Sequence, residues 1–157
     1  MKLWRMLRRL LKRFAPNVER VVVDTNILVS GTVARQGFPA QIIDAAIAGR
    51  IQFVVSAMLI DEYIDVIQRP HITKRYRQIG DRVDTVLFYL NTNAYLVKQV
   101  PIEAVVRDDP DDDFLLACAL AGQAKYIISG DEHLLKLKLY RGVRILTPRI
   151  FVEDVLA

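Results

Sequence analysis

Five aspartates fill five of six consecutive positions, Asp108, Asp109, Asp111, Asp112 and Asp113 around Pro110, and the chain turns apolar at once in "FLLACALAG". A helix start welcomes one or two acids, which cap the first turn and complement its dipole. Three more acids stand near the ends of apolar runs. Asp24 closes "VERVVVDTN", Glu62 falls in the second turn after "IQFVVS", and Asp131 ends "KYIISGD". Carboxylates a few ångströms apart repel one another, and desolvation raises their pKa values. A cluster of them therefore asks for a cation in its middle. Hard oxygen ligands with no His or Cys beside them suit Mg²⁺ or Mn²⁺. Such an ion keeps waters and open positions, which phosphate chemistry uses.

Each acid also has an ordinary reading. Asp24 can be a turn residue, Asp112 or Asp113 a helix cap worth about 0.3–1 kcal/mol, Asp131 a cap of the next helix, and Glu62 a solvated surface group. Other chemistries find less support. No Gly-rich phosphate loop is present, and "SGD" and "ISG" do not make a nucleophile elbow. His71 and His133 are not at ligand spacing and read as surface residues. The lone cysteine, Cys118, excludes an internal disulfide. It has no obvious partner histidine and reads as a buried, reduced thiol of a cytosolic protein. A glycosidase pair is conceivable from the acids alone, but the fold reading does not favour it.

The positions of these acids depend on the elements around them. "VERVVVDTN" reads as a buried strand closing on Asp24 and "SGTVARQG" as a loop. Pro39 marks a helix start, with Ile42, Ile43, Ala46 and Ile47 on its apolar face and Gly49 at its end. "IQFVVS" reads as a second strand. Ser56 caps a helix over 57–69 that buries Ile60, Tyr63, Ile64 and Ile67 and stops at Pro70. "HITKRYRQIG" reads as a short helix and turn, and "DRVDTVLFYLN" as a helix with Val83, Val86, Leu87 and Leu90 inward. "AYLVKQV" is a strand, the acidic run opens a helix through "FLLACALAG", and "KYIISGD" is a strand ending on Asp131. "EHLLKL" is a short helix, "VRIL" a last strand and "TPRIFVEDVL" a closing helix. Alternating strands and helices imply a mostly parallel sheet with helices on both faces. Ligands gather outside the carboxyl ends of such strands, and that edge is where all four acidic segments arrive.

The 157 residues, 52% apolar and 25% charged, make one globular domain of ordinary size. No apolar run approaches the roughly 20 residues needed to cross a bilayer. Charge is uneven. Residues 1–20 hold seven basic groups (Lys2, Arg5, Arg8, Arg9, Lys12, Arg13 and Arg20) against Glu19, a net of +6, whereas the remaining 15 basic and 17 acidic residues net −2. Leu3, Leu7, Leu10, Leu11 and Phe14 recur at helical spacing within this basic stretch, so 1–19 read as a basic amphipathic helical extension and 20–157 as the domain proper. "MKLWRMLRRLLKRF" does not read as a signal peptide, because arginines break its apolar region. It can serve as an RNA arm, pack on a partner protomer, or contact an anionic membrane through residues 1–14 with Trp4, Leu7 and Leu11.

Four segments, "VVVDTNILVSG", "FVVSAMLIDEYIDVI", "DPDDDFLLACALAGQAKYIISGD" and "ILTPRIFVEDVL", together resemble the PIN-domain nucleases. The branch they look like is the toxin component of toxin–antitoxin pairs, related to VapC-type toxins. The resemblance covers about residues 20–157, with the motifs in the family's order. It implies a three-layer α/β/α sandwich with a mostly parallel, doubly wound sheet. It implies a cytoplasmic Mg²⁺- or Mn²⁺-dependent endoribonuclease that hydrolyses RNA with a metal-activated water. It further implies a cognate antitoxin and a homodimer or higher homo-oligomer.

Carried over by position, Asp24 matches the first acid, Glu62 the second and Asp131 the weaker fourth. The third is Asp112 counted back from Ala119, or Asp113 counted back from Asp131; helix phase favours Asp112. Asn26 and Ser129 match polar positions that orient metal ligands or phosphate, with a purely structural role as the alternative. An acidic pocket repels RNA, so cations must hold the backbone around it. Lys74, Arg75, Arg77, Arg82 and Arg107 are the candidates, each also readable as part of a solvated face. The basic extension is no part of the family pattern. A second reading keeps the fold but makes it a non-catalytic RNA-binding or assembly module.

Overall fold

The computed structural model describes residues 17–75, 78–98 and 110–157. The basic stretch 2–14 and its proposed helix, together with Arg77, Arg107, Asp108 and Asp109, lie outside the described residues.

Five short, strongly apolar runs become the parallel part of one sheet. They are β1 (Glu19–Val23), β2 (Ile51–Ser56), β3 (Tyr95–Val97), β4 (Tyr126–Ile128) and β6 (Val143–Leu146). A two-residue strand, β5 (Leu139–Tyr140), pairs antiparallel with β6. Among the described residues the order across the sheet is β3-β2-β1-β4-β6-β5. The chain thus builds outward from β1 on one side and returns from β4 on the other, which puts the topological switch point between β1 and β4.

Between the strands run α1 (Thr25–Val33), α2 (Phe38–Ile47), α3 (Ala57–Ile67), α4 (Pro70–Arg75), α5 (Gly80–Thr92), α6 (Pro110–Ala121), α7 (Glu132–Leu135) and α8 (Pro148–Phe151), which continues as a π-helical turn over Val152–Leu156. Both faces of the sheet are covered. Val21, Val23, Phe53, Val55, Tyr126 and Ile128 point into one core, shared with α1, α2, α3, α5 and α8. The intervening Val22, Val54 and Ile127 point into a second core beneath α6, with Leu115, Leu116, Cys118 and Ala119. Burial on both sides explains why the strands read as unbroken apolar runs rather than alternating ones. The architecture is the expected α/β/α sandwich.

Most expected elements form, with differences. The stretch read as the loop "SGTVARQG" is helical through Val33. Asp24 caps that helix, and Gly31 lets it lie close to α2: a Cβ there would stand 2.6 Å from the carbonyl oxygen of Pro39. Ser30, Gly31, Thr32 and Val33 are therefore helical despite their weak propensity, because packing overrides it. Ile47, expected on the buried face of α2, is 37% exposed, whereas Tyr89, not expected inside, is buried, and its hydroxyl oxygen accepts from the Phe53 N–H of β2 at 3.1 Å. The Tyr140–Val143 hairpin escaped notice because its tight turn uses Arg141 and Gly142, both at positive φ, rather than Asn-Gly.

Candidate active site

The carboxyl ends of β1, β2 and β4 form one edge, and the local structure there follows from its polar residues. Asp24 leaves β1 and caps α1: its Oδ1 accepts from the Asn26 N–H at 3.2 Å. Its own N–H donates to the Ile128 carbonyl at 2.9 Å, which carries the β1–β4 pairing one residue past the strand. Ser129, fully buried just after β4, donates its hydroxyl to Asp24 Oδ2 at 2.9 Å and accepts from the Asp131 N–H at 3.1 Å. Asp131 in turn caps α7, with Oδ1 accepting from His133 and Leu134 N–H groups at 2.8 and 3.4 Å. Asp24, Ser129 and Asp131 thus form a continuous polar chain across the β1–β4 switch point, the place where open α/β sheets bind ligands.

A second link runs to the other side. Ser56 caps α3 through the Leu59 N–H at 3.1 Å, so the helix starts directly at the end of β2. Glu62 lies in its second turn, and its Oε2 accepts the Thr25 hydroxyl at 3.0 Å. Deeper between the same two helices, the Thr32 and Tyr63 hydroxyls meet at 2.9 Å. Burial pushes the Tyr63 phenol up to about 12, against smaller opposing contributions from the Thr32 hydrogen bond and the Arg82 charge. Asp112 and Asp113 sit in the first turn of α6 and are both buried, at 3% and 6% exposure. Because α6 packs on β1, β2 and β4 and leads by a short turn into the parallel β4, its first turn lies at the same edge.

Other sequence candidates fall elsewhere. Asn26 is exposed and enters the network through its backbone N–H. Arg82 is engaged in a 2.7 Å ion pair with Asp44, its side chain only 16% exposed. Lys74 is exposed on α4, and the side chain of Arg75 lies outside the description. His71 and His133 are exposed. Burial pushes the Cys118 thiol up to about 12, in keeping with an unreactive core residue. Thr25 was not singled out from sequence, although its place between Asp24 and Asn26 in "DTN" was a signal.

Among the described residues no three His, Cys, Asp or Glu side chains stand close enough together to hold one ion. The donors at the edge are nonetheless of the type a hard divalent cation takes, carboxylates with hydroxyls behind them and no nitrogen or sulfur ligand. In that respect the residue types present fit Mg²⁺ or Mn²⁺, and a hydroxyl holds each of Asp24 and Glu62.

Among proteins with which this chain shares sequence is the uncharacterized MJ1680 of Methanocaldococcus jannaschii, 25% identical over 144 residues that span 86% of this chain and 90% of that protein. The model of the PIN domain matches residues 20–133, a range that contains Asp24, Glu62, Asp112, Asp113, Ser129 and Asp131. The match spans most of the chain and accords with its mostly parallel sheet, so the chain belongs to the PIN-domain family, whose members are generally nucleases.

Proposed function

We propose that this protein is a divalent-metal-dependent endoribonuclease, the cytoplasmic toxin of a toxin–antitoxin pair. Asp24, Glu62, Asp131 and Asp112 or Asp113 are its metal ligands and catalytic acids, with Ser129 and Asn26 in support. The observation that carries this reading is the pair of hydroxyl links, Ser129 to Asp24 and Thr25 to Glu62, at the carboxyl edge beside the switch point. They hold two carboxylates that the chain places 38 positions apart, and they leave the other oxygen of Glu62 available.

A bound Mg²⁺ or Mn²⁺ supplies an activated water and neutralises charge on the phosphate and the leaving oxygen. The chain's own part is positioning. Ser129 fixes the rotamer of Asp24, the α1 cap fixes its backbone, and Glu62 takes a proton or holds a water in line. Lys74, Arg75, Arg77 and Arg107 hold the RNA backbone around the acids; Arg82 contributes less, since Asp44 already neutralises it. A cognate antitoxin and a second copy of the chain complete the assembly.

That no three His, Cys, Asp or Glu side chains gather around one point among the described residues favours one other reading, a PIN-domain module that binds RNA or a partner without cleaving it. One experiment decides between them. Purified wild-type protein and Asp24→Asn are incubated with a mixed RNA pool, with Mn²⁺, Mg²⁺ or EDTA. The nuclease reading expects cleavage by the wild type with either ion, none in EDTA, and a loss of at least about 100-fold in the variant, as for removal of a principal charge-stabilising group. Absence of cleavage under every metal condition would leave the binding module.

A further inference from the structure

We infer that Thr25 is a positioning residue of this site: its hydroxyl holds the Glu62 carboxylate in the rotamer that faces the metal position, and it does so because helix geometry leaves that hydroxyl no backbone acceptor. The inference rests on the metal-site reading given above.

Hydroxyls inside helices usually give their proton to the carbonyl four residues back. In this chain Ser30 bonds to Asn26, Thr32 to Leu28, Thr85 to Asp81 and Thr92 to Phe88, all at 2.6–2.8 Å. Thr25 is different. It is the first residue of α1, directly after the Asp24 cap, so the residue four back is Val21, inside β1. No helical carbonyl is there to receive its proton. The side chain is also 4% exposed, which removes water as an easy partner. Leaving a buried hydroxyl without a partner is costly, because its hydration is lost and nothing replaces it. The acceptor it finds is Glu62 Oε2, 37 positions away on α3, at 3.0 Å.

The consequence for Glu62 is geometric. Glu62 is itself exposed, and an exposed glutamate samples several rotamers. One hydrogen bond from a β-branched, buried donor with a stiff χ1 removes much of that freedom. It leaves Oε1 as the oxygen directed to a ligand. The Thr32–Tyr63 bond, about two turns further along α1 and one residue on in α3, ties the same two helices together. Asp24 and Thr25 are sequence neighbours, so the β1–α1 junction holds Asp24 by its own cap geometry and Glu62 through its neighbour's hydroxyl.

The test measures Mn²⁺ affinity of the full chain without RNA, by the free-ion signal in electron paramagnetic resonance. Thr25→Val removes the hydroxyl and keeps the shape, Thr25→Ser keeps the hydroxyl, and Glu62→Gln removes the carboxylate charge. The expectation is an affinity loss of about 10-fold or more for Thr25→Val, the usual range for groups behind a ligand. Thr25→Ser should restore affinity to within roughly threefold, and in a Glu62→Gln background Thr25→Val should cost nothing further. If the valine variant fails to fold, Thr25→Ala carries the same comparison. Wild-type affinity in Thr25→Val or Thr25→Ala, or an equal loss in the Glu62→Gln background, overturns this inference alone. Failure of the wild type to bind Mn²⁺, or binding indifferent to Glu62→Gln, overturns the site reading and the inference with it.

Discussion

Asp24 and Asp131 each cap a helix and each, in the proposed metal site, supplies a negative charge, and substitutions can separate the two roles. Each caps a helix through one oxygen, and Ser129 touches both residues. Asparagine caps as well as aspartate, whereas alanine does not cap at all. Asp131→Ala should therefore cost about 1 kcal/mol in urea unfolding and Asp131→Asn only a few tenths. In the Mn²⁺ cleavage assay both should lose about tenfold or more, because charge rather than capping supports the metal. Wild-type turnover in Asp131→Asn would reduce Asp131 to a cap. The choice between Asp112 and Asp113 belongs to the same scale: both are buried in the first turn of α6, so burial does not separate them, and asparagine at each position in turn does.

The elements matter through where they begin. Helix α1 is capped by Asp24, α3 by Ser56 and α7 by Asp131, each at or within three residues of a strand's carboxyl end, so the caps gather at one edge. Helix α1 is the least expected of them, and its approach to α2 depends on Gly31. An added Cβ would meet the Pro39 carbonyl oxygen at 2.6 Å and Ile43 Cδ1 at 2.7 Å, and the backbone oxygen cannot move aside. Gly31→Ala should cost about 1–3 kcal/mol by overpacking, read as a lower urea midpoint with an unchanged slope. The helix propensity of alanine, about 1 kcal/mol better than glycine, would win instead if α1 and α2 were more loosely apposed. A variant more stable than the wild type would therefore contradict the close approach.

At the scale of the molecule, the sheet separates two cores, and each buries an ionisable group on its own side. Cys118 faces one core from α6, and Tyr63 faces the other from α3. Burial pushes the thiol from 9.0 to about 12 and the phenol from 10.0 to about 12. In both cases the folded protein keeps a proton that the unfolded chain releases. The stabilisation is therefore complete below about pH 9 and is lost as pH rises toward about 12. The melting temperature should fall steeply over that window. Cys118→Ala, which removes one of the two titrations, should show a shallower fall from its own starting value. Equal slopes in the two proteins would mean that the thiol is more solvated than its position indicates. No helix among the described residues is long and apolar enough to cross a membrane.

Local pattern was enough for much of this protein. Apolar runs such as "VVV" and "FVV" marked strands buried on both faces, Pro39 and Ser56 marked helix starts, and the acids at strand ends marked an edge, because each signal depends on a residue and its near neighbours in the chain. What depended on distant partners was not legible. Thr25 looked like one more residue of "DTN" until β2 lay beside β1 and brought α3 and Glu62 to it. Arg82 looked like a free cation until α5 brought it to Asp44. The last four residues of α1, Ser30 to Val33, looked like a loop because Ser, Gly and Thr are weak helix formers, and only the packing of Gly31 on Pro39 shows what repays them. Periodicity and capping report how a segment is solvated and how it begins. The partner of a buried hydroxyl or a guanidinium is set by which strands are neighbours, and in a doubly wound sheet that order reverses at the switch point, where sequence distance no longer measures distance in space.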